Sequence, residues 1–277
     1  DLLANGGSSI SGSGFLGTSM NVQLKTNATS LTVGGNNDGQ IGKISGANLT
    51  LFGSGIYQFK GANDYTGSTV VAETSSLRLG AANVIPDLSS VNLSSSSNVL
   101  ELGDFSETIG NLMGSGIVRS VGLSNSVLIT GKEATMATFN GVIQDGTGTV
   151  NITKEGTGTW NLTRANSFSG LMTVTAGKVN ITNALALGTN AQGTVVASGA
   201  ALEVQGSMTV ANESLTISGT GISSGGALRL VSGDVNWSGP IIASASTPRI
   251  VIASGSWNQT GDVTLNQTLA TAVQGTS

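Results

Sequence analysis

The sequence predicts an all-β fold, a β-solenoid of about a dozen stacked coils, from its composition, its period-two alternation and an internal repeat. The 277 residues include 41 Gly and 3 Pro, and Asp, Glu, Lys and Arg make up only 9% of them, against roughly 25% in an ordinary soluble domain. Apolar residues reach 38% and the net charge is −4, whereas disordered chains are highly charged and poor in apolar residues. We therefore expect a folded, repetitive protein with a surface of hydroxyl and amide side chains.

Apolar and polar residues alternate over short segments along the chain. In Lys178–Ile181 and in residues 228–230 every second residue is apolar, which is typical of a strand with one buried face. Clusters of Gly, Ser, Asn and Asp separate these segments and favour turns. No segment of ten or more residues keeps a 3.6-residue period, and residues 131–136 are too short a helical candidate. Short strands and turns therefore account for the chain.

An internal repeat relates residues 49–79 to residues 152–181. Both copies carry Gly, aromatic, Asn, aromatic and Gly in the same order, with Leu49 matching Ile152. The shared positions, which we predict to be structural, are Gly53, Gly55, Tyr57, Asn63, Tyr65 and Gly67, and Gly156, Gly158, Trp160, Asn166, Phe168 and Gly170. We expect the Gly residues to mark turns before strands and the Asn residues to sit in turns, where Asn tolerates left-handed backbone. Such repeats indicate stacked units rather than separate domains.

Two Trp residues near the C-terminus suggest the length of one coil. Trp237 and Trp257 stand 20 positions apart (257 − 237), and three short strands with three turns take about 20 to 25 residues. On this hypothesis like residues stack on neighbouring coils, roughly 4.8 Å apart. The alternative is that the two Trp residues lie in unrelated turns.

The domain hypothesis treats the solenoid as continuous. We assign residues 1–44 to N-terminal coils or a cap, and residues 45–277 to the β-helix that carries the repeat. The sequence starts at Asp1 without Met or a signal peptide, so we expect a processed piece of a longer protein.

Several classes of function lack the residues they need. The chain has no His and no Cys, which excludes a Ser-His-Asp triad, a Cys-His dyad and imidazole-bound zinc. A pI near 4.7 with scattered bases argues against nucleic acid as a partner. No apolar run approaches the 18 to 20 residues, roughly, that span a bilayer, so we expect no membrane insertion by this segment. We predict no cofactor, no metal site and no enzymatic activity.

The candidates for a catalytic site are Glu101, Asp104 and Glu107, and the neighbours Lys154 and Glu155. β-Helices host polysaccharide lyases and hydrolases, and a hydrolytic carboxylate pair must lie about 5 to 9.5 Å apart. We interpret these charges as solvent-exposed turn residues and keep a carbohydrate-active enzyme on this fold as an alternative.

Two further patterns point to ligands only weakly. Residues 34–39, Gly-Gly-Asn-Asn-Asp-Gly, resemble a calcium-binding nonapeptide, but Asn replaces its third Gly and no second copy follows; calcium arrays need oxygens from successive coils. We expect an Asn-Asp-Gly turn there. The Trp residues, Tyr57 and Tyr65 could stack on sugars, but we expect them to fill the core or brace turns.

The repeat resembles the autotransporter-associated β-strand repeat of large Gram-negative surface proteins. The likeness extends over residues 45–265, and the first copy departs from it where Phe52 replaces the usual Lys and Thr74 or Ser75 the usual Gly. The residues that fit best are Lys154, Gly156, Gly158, Trp160, Leu162, Asn166, Phe168, Gly170, Thr173, Val174, Gly177 and Val179. The resemblance implies a right-handed parallel β-helix passenger domain, exported and displayed outside the cell.

From these observations we predict a cell-surface structural module that acts as an adhesin, a stalk or a self-associating fibre. Self-association is expected to be lateral or end to end, and other partners to be a host or matrix surface, including its glycans. Because terminal coils present unpaired strand edges, an alternative is a subunit that polymerises head to tail into an extracellular filament.

Overall fold

Nearly every regular element in the described part of the chain is a strand. The computed structural model describes the backbone of residues 2–4, 8–11, 20–24, 30–35, 39–244, 247–266 and 270–273, and the burial of residues 32–33, 43–244 and 247–266. Within these ranges there is no α-helix, and one 3₁₀ helix spans Ile222–Ser224. The predicted all-β class is confirmed.

The strands are short and follow one another along the whole chain. Up to residue 150 they are β1 (Leu2–Ala4), β2 (Ser8–Ser11), β3 (Met20–Leu24), β4 (Ser30–Gly35), β5 (Gly39–Ser45), β6 (Asn48–Gly53), β7 (Ile56–Phe59), β8 (Thr69–Val71), β9 (Ser76–Leu79), β10 (Val91–Leu93), β11 (Val99–Glu101), β12 (Ser106–Thr108), β13 (Leu112–Gly114), β14 (Ile117–Arg119), β15 (Ser126–Thr130), β16 (Ala137–Phe139) and β17 (Val142–Gln144). From residue 150 onwards they are β18 (Val150–Lys154), β19 (Thr159–Leu162), β20 (Met172–Val174), β21 (Lys178–Ile181), β22 (Thr194–Val196), β23 (Ala201–Gln205), β24 (Met208–Val210), β25 (Leu215–Ile217), β26 (Leu228–Ser232), β27 (Asp234–Trp237), β28 (Ile241–Ala243), β29 (Arg249–Ile252), β30 (Ser256–Gln259), β31 (Val263–Leu265) and β32 (Ala270–Val273).

The chain divides into two compact units, one of residues 1–133 with 139–150 and one of residues 134–138 with 151–277. In the first unit the sheets run β1-β3-β5-β7-β9-β11-β14-β17, β2-β4-β6-β8-β10-β13 and β12-β15, and Phe139, the last residue of β16, also belongs to it. In the second they run β19-β21-β23-β26-β29-β32, β18-β20-β22-β25-β28-β31 and β24-β27-β30. The strand pairs described within each unit are parallel, each coil pairing with the next.

This connectivity is that of a parallel β-solenoid. Over the two units it makes about ten turns, where the sequence predicted about a dozen. The right-handed sense and the boundary near residue 44 stay predictions.

Alternation in the sequence becomes alternation of burial. Strands β15 and β18 each bury their first, third and fifth residues. Inward residues then stack on one another from coil to coil. In the first unit Leu51 pairs with Val71 and Val71 with Leu93, and all three are fully buried. Each unit therefore has a continuous aliphatic interior, the main favourable term in folding at roughly 25 cal/mol per Å² of apolar area.

The coils differ in length, and the two C-terminal Trp residues stack. Trp160 pairs with Val179, 19 positions on, whereas Met208 pairs with Val235, 27 positions on. The rings of Trp237 and Trp257 lie with their centroids 5.5 Å apart and 23° between their planes. Both are in strands, β27 and β30, so the alternative of unrelated turns is wrong. The stack is diagonal, because Trp237 pairs in register with Gln259 and not with Trp257.

The glycine-rich segment 34–39 lies partly outside the described residues. Strand β4 ends at Gly35 and β5 begins at Gly39, and residues 36–38 between them are not described.

Candidate functional site

The predicted repeat glycines occupy matching places in the two copies. Gly53 and Gly156 have positive φ angles of 94° and 65°, and Gly55 and Gly158 immediately precede β7 and β19. The last pair lies two residues before β8 and β20; it consists of Gly67 and Gly170.

The repeat aromatics lie in the interior. Tyr57, Tyr65 and Trp160 are each 1% exposed and Phe168 is fully buried. The hydroxyl of Tyr57 donates to the carbonyl of Phe52 at 2.8 Å, and the hydroxyl of Tyr65 lies 2.5 Å from Oγ1 of Thr69. None of these rings offers an exposed face to a sugar.

Asn63 joins three successive coils with one side chain. Its Oδ1 accepts the backbone N–H of Ile44, 2.5 Å away, and its Nδ2 donates to the carbonyl of Val84 at 2.6 Å. Ile44 belongs to the preceding coil and Val84 to the following one. Because Asn63 is only 9% exposed, these bonds satisfy backbone groups that water reaches poorly.

At the matching place in the second unit, Asn166 also forms a side-chain hydrogen bond to the following coil. Its Nδ2 donates to the carbonyl of Ala186 at 2.6 Å, and the side chain is 5% exposed. Neither Asn63 nor Asn166 has a positive φ. The reason for Asn at these positions is therefore a bond between coils, not the left-handed turn that the sequence suggested.

Lys154 is fully buried, so its interpretation as a solvent-exposed charge is wrong. Its Nζ donates to the carbonyls of Glu155 and Gly156, at 2.5 and 3.0 Å, and approaches that of Ala176 at 3.4 Å. Burial lowers the pKa of Lys154 to about 8. The ammonium closes the turn before β19 by neutralising carbonyls that point into the coil.

Glu101 is also buried, with 1% of its side chain exposed, and lies between two arginines of the neighbouring coils. Nε of Arg78 is 2.6 Å from Oε2, and Nη2 of Arg119 is 2.5 Å from Oε1. In register, Arg78 on β9 pairs with Glu101 on β11, and Glu101 with Arg119 on β14. The three residues form a charged ladder across one sheet.

We expect Glu101→Gln to lower the free energy of unfolding by about 1 to 3 kcal/mol, because a buried hydrogen-bonded charge is lost and two arginines face each other. Chemical denaturation of the variant against the parent measures this. The control is Asp64→Asn, which breaks the Lys43–Asp64 pair whose side chains are 46% and 57% exposed; such surface pairs contribute about 0 to 1 kcal/mol. Equal losses in both variants would contradict the ladder's role.

Glu107 holds the corner of the preceding coil. Its carboxylate accepts the backbone N–H groups of Val84 at 3.1 Å and Ile85 at 2.8 Å, and the residue is fully buried. Burial, helped by the nearby charge of Asp87, raises the pKa of Glu107 to about 7. The hydrogen bonds from the backbone N–H groups of Ile85 and Val84 oppose this shift.

This carboxyl makes the stability of the first unit depend on pH. A folded pKa of about 7 lies above that of an unfolded glutamate, near 4.3, so the protonated form stabilises the fold. That stability is complete below about pH 4.3 and is lost as the pH rises through 7. We expect the denaturation midpoint to fall between pH 5.5 and 8.5, and to fall less in Glu107→Gln. An identical pH profile in both proteins would contradict this.

The three acidic candidates are not gathered into one site. Glu101 lies on β11, and Glu107 lies on β12 in another sheet. Asp104 alone is a solvent-exposed turn residue, as predicted for all three, and accepts the N–H of Ser124 at 2.5 Å. Within the described ranges no group of three acidic residues could hold a metal ion.

Sequence reasoning missed the buried roles of Arg78, Glu101, Arg119 and Glu107. Acidic and basic residues that recur once per coil at the same strand position, as Arg78, Glu101 and Arg119 do, are a pattern the sequence contains. No comparable recurrence in the sequence marks the hydrogen bonds between Glu107 and the preceding coil.

Residues 49–73 and 152–181 match the model of the passenger-associated-transport-repeat family. The resemblance to an autotransporter passenger repeat is confirmed. No curated protein matches the chain. Among the residues whose backbone is described, no helix has the length and apolarity that crossing a membrane requires.

The two passenger-associated transport repeats satisfy one turn carbonyl in different ways. At the constant offset of the copies, Lys154 corresponds to Leu51 and not to Phe52, Glu155 corresponds to Phe52, and Trp160 to Tyr57. In the second repeat the ammonium of Lys154 binds the carbonyl of Glu155. In the first, the hydroxyl of Tyr57 donates to the equivalent carbonyl, that of Phe52. The two repeats thus use different side chains as donors to this carbonyl.

This exchange predicts a rescue. Lys154→Leu removes the ammonium from two partly buried carbonyls, those of Glu155 and Gly156, and we expect it to cost about 2 to 4 kcal/mol. Adding Trp160→Tyr recreates the first repeat's arrangement and should recover about 1 kcal/mol of that loss. Denaturation of Lys154→Leu and of the double variant with Trp160→Tyr measures the recovery. The control is the double variant with Trp160→Phe, which lacks the hydroxyl. If Phe restores as much as Tyr, the hydroxyl is not the replacement donor.

Proposed function

We propose that the chain is a non-enzymatic structural β-solenoid, secreted or displayed at the surface of a Gram-negative bacterium, where it acts as a stalk, an adhesin or a self-associating fibre. Two passenger-associated transport repeats within a parallel solenoid support this placement. The proposed partners are a host or matrix surface, including its glycans, and other copies of the chain.

One observation carries the structural role: several buried polar side chains are engaged in hydrogen bonds to backbone groups of the coils. Asn63 and Glu107 bind backbone groups of neighbouring coils, and Lys154 binds turn carbonyls. An enzyme needs some of its charged groups turned towards a substrate pocket. In this chain Asn63, Glu107 and Lys154 stabilise the stacked coils, as expected of a protein with a structural role.

The experiment is to incubate the purified chain with neutral and acidic polysaccharides and to measure new reducing ends and unsaturated products. In parallel, the chain is immobilised and tested for retention of matrix polysaccharides and for resistance to protease. We expect no depolymerisation, together with protease resistance. Depolymerisation that disappears in Asp104→Ala, the exposed acid, would overturn the structural role in favour of the carbohydrate-active enzyme.

A second candidate, the head-to-tail filament subunit, is supported by the inward face of β31. Val263 and Leu265 are 43% and 56% exposed, whereas their register partners on β28, Ile241 and Ala243, are 1% and 0% exposed. These two stacking positions can accept a further coil, and the filament hypothesis assigns that coil to a second copy of the chain. Sedimentation velocity over a range of concentrations tests this. Concentration-dependent growth that Val263→Lys with Leu265→Lys abolishes would support the filament, and a monomer at all concentrations would exclude it.

A further inference from the structure

A cleft opens in the second unit where the loop of residues 184–190 passes the turn of residues 210–213. It has a volume of about 400 Å³, which is enough for a compact organic group. Its walls combine polar and aliphatic side chains; among them are Asn166, Leu185, Leu187, Thr189, Asn190 and Glu213.

The cleft contains a buried carboxyl that no cation neutralises. Glu213 is 4% exposed, and its Oε1 accepts a hydrogen bond from Oγ1 of Thr194 at 2.7 Å. No Lys or Arg is among the described residues that line the cleft, and Glu213 is the one charged side chain there. A buried carboxylate that is bonded to a neutral hydroxyl and not to a cation is costly, so a positive group that reaches it is favoured.

The first unit shows what such a carboxyl does when the loop beside it is close. There Glu107 binds the amides of Val84 and Ile85. In the second unit the corresponding loop bonds to itself: the N–H of Ala186 donates to the carbonyl of Asn183, and that of Gly188 to the carbonyl of Leu185. Glu213 lines the cleft beside this loop.

A second residue that lines the cleft, Thr189, carries a polar atom without a hydrogen-bond partner in the described structure. Oγ1 of Thr189 is buried without a hydrogen bond in the described structure, and buried hydroxyls are rarely left so. Together the hydroxyl and the carboxyl provide acceptors for a group with several N–H donors. Beside them, Leu185 is 55% exposed and Leu187 is buried, which gives an alkyl chain an apolar wall.

We propose that this cleft binds an alkylammonium group, with Glu213 as its counter-ion, Thr189 as a second acceptor and Leu185 packing against the alkyl chain. The ammonium can belong to a free alkylamine or to a lysine side chain of another polypeptide. This binding site goes beyond the structural role of the repeats, and its failure would leave that role untouched.

The test is calorimetric titration of the purified chain with Nα-acetyl-lysine amide and with 1,5-diaminopentane. The matched control ligand is Nα-acetyl-norleucine amide, which has the alkyl chain without the ammonium; methyl glucoside represents a neutral hydroxylated ligand. We expect both ammonium ligands to bind at least tenfold more tightly than the two neutral ones. The lysine derivative binding more tightly points to a polypeptide partner, and the diamine binding more tightly points to a free amine. Equal or tighter binding of a neutral ligand would overturn the proposal.

The variants separate the site from the fold. Glu213→Gln should weaken ammonium binding at least tenfold. Glu203→Gln, which breaks the ion pair between Glu203 on β23 and Lys178 on β21, should leave binding unchanged. Thr189→Val, nearly the same shape, should weaken binding about threefold and tests the site even if Glu213→Gln does not fold. Burial raises the pKa of Glu213 to about 7, so binding should strengthen from pH 6 to pH 8 as the carboxyl ionises. Binding independent of both residues and of pH would overturn the proposal.

Discussion

Replacing Gly177 by Ala is expected to lower the free energy of unfolding by about 2 to 5 kcal/mol. Gly177 has a φ of 65°, where a side chain costs about 1 to 2 kcal/mol. A Cβ there would also lie far inside van der Waals distance of the carbonyl oxygens of Gly156 and Gly158 in the preceding coil. Overpacking against backbone adds about 1 to 3 kcal/mol. Chemical denaturation of the variant measures the sum.

Gly199 provides the matched control. Its φ is 85°, but a Cβ at this position meets nothing within 4 Å. Gly199→Ala should therefore cost only the backbone strain of about 1 to 2 kcal/mol. The difference between the two variants isolates the contact between stacked turns. If both variants lose the same stability, the close approach of the turns contributes nothing.

Asn63→Ala is expected to cost about 2 to 5 kcal/mol. The substitution leaves the N–H of Ile44 and the carbonyl of Val84 without their partners, and each buried unsatisfied group costs about 1 to 3 kcal/mol. Asn63→Asp separates the two bonds, because a carboxylate keeps the acceptor for Ile44 and loses the donor to Val84. Hydrogen exchange at Ile44, with denaturation, measures both effects.

A surface asparagine gives the control for this variant. Asn258 donates to Asn236 at 2.9 Å in an exposed position, and Asn258→Ala should change stability by less than about 0.5 kcal/mol. Fast exchange at Ile44 in Asn63→Ala, with protection retained in Asn63→Asp, is the expected pattern. If the N–H of Ile44 is protected from exchange in Asn63→Ala as well as in Asn63→Asp and the parent protein, Asn63 does not bridge the coils.

The sequence predicts the fold well because a solenoid is made of local patterns repeated. Period-two alternation places Leu51 and Val71 inward, and the repeat shows that coils stack. What it could not predict is which residue meets which one across coils of unequal length. Trp237 and Trp257 are 20 positions apart, yet the coil that joins their strands pairs Trp237 with Gln259.

The same limit explains the wrong interpretation of the charged residues. A charge in a short polar segment is most often exposed, and Asp104 follows that rule. Glu101 and Glu107 do not, because their partners, Arg119 on the next coil and Val84 on the preceding one, lie about 20 residues away in sequence. In the described part of the chain the charged residues that are buried in the stack are Glu101, Glu107, Lys154 and Glu213.

The Asn63 bridge has a consequence for the order in which the chain acquires its structure. As a polypeptide is delivered from its N-terminus, the side-chain oxygen of Asn63 can accept the N–H of Ile44 as soon as both residues are present. The side-chain amide nitrogen of Asn63 gains its acceptor, the carbonyl of Val84, only when Val84 arrives. This bridge is therefore complete only after the coil that contains Val84 has packed, and a chain interrupted before Val84 leaves Asn63 with one of its two bonds.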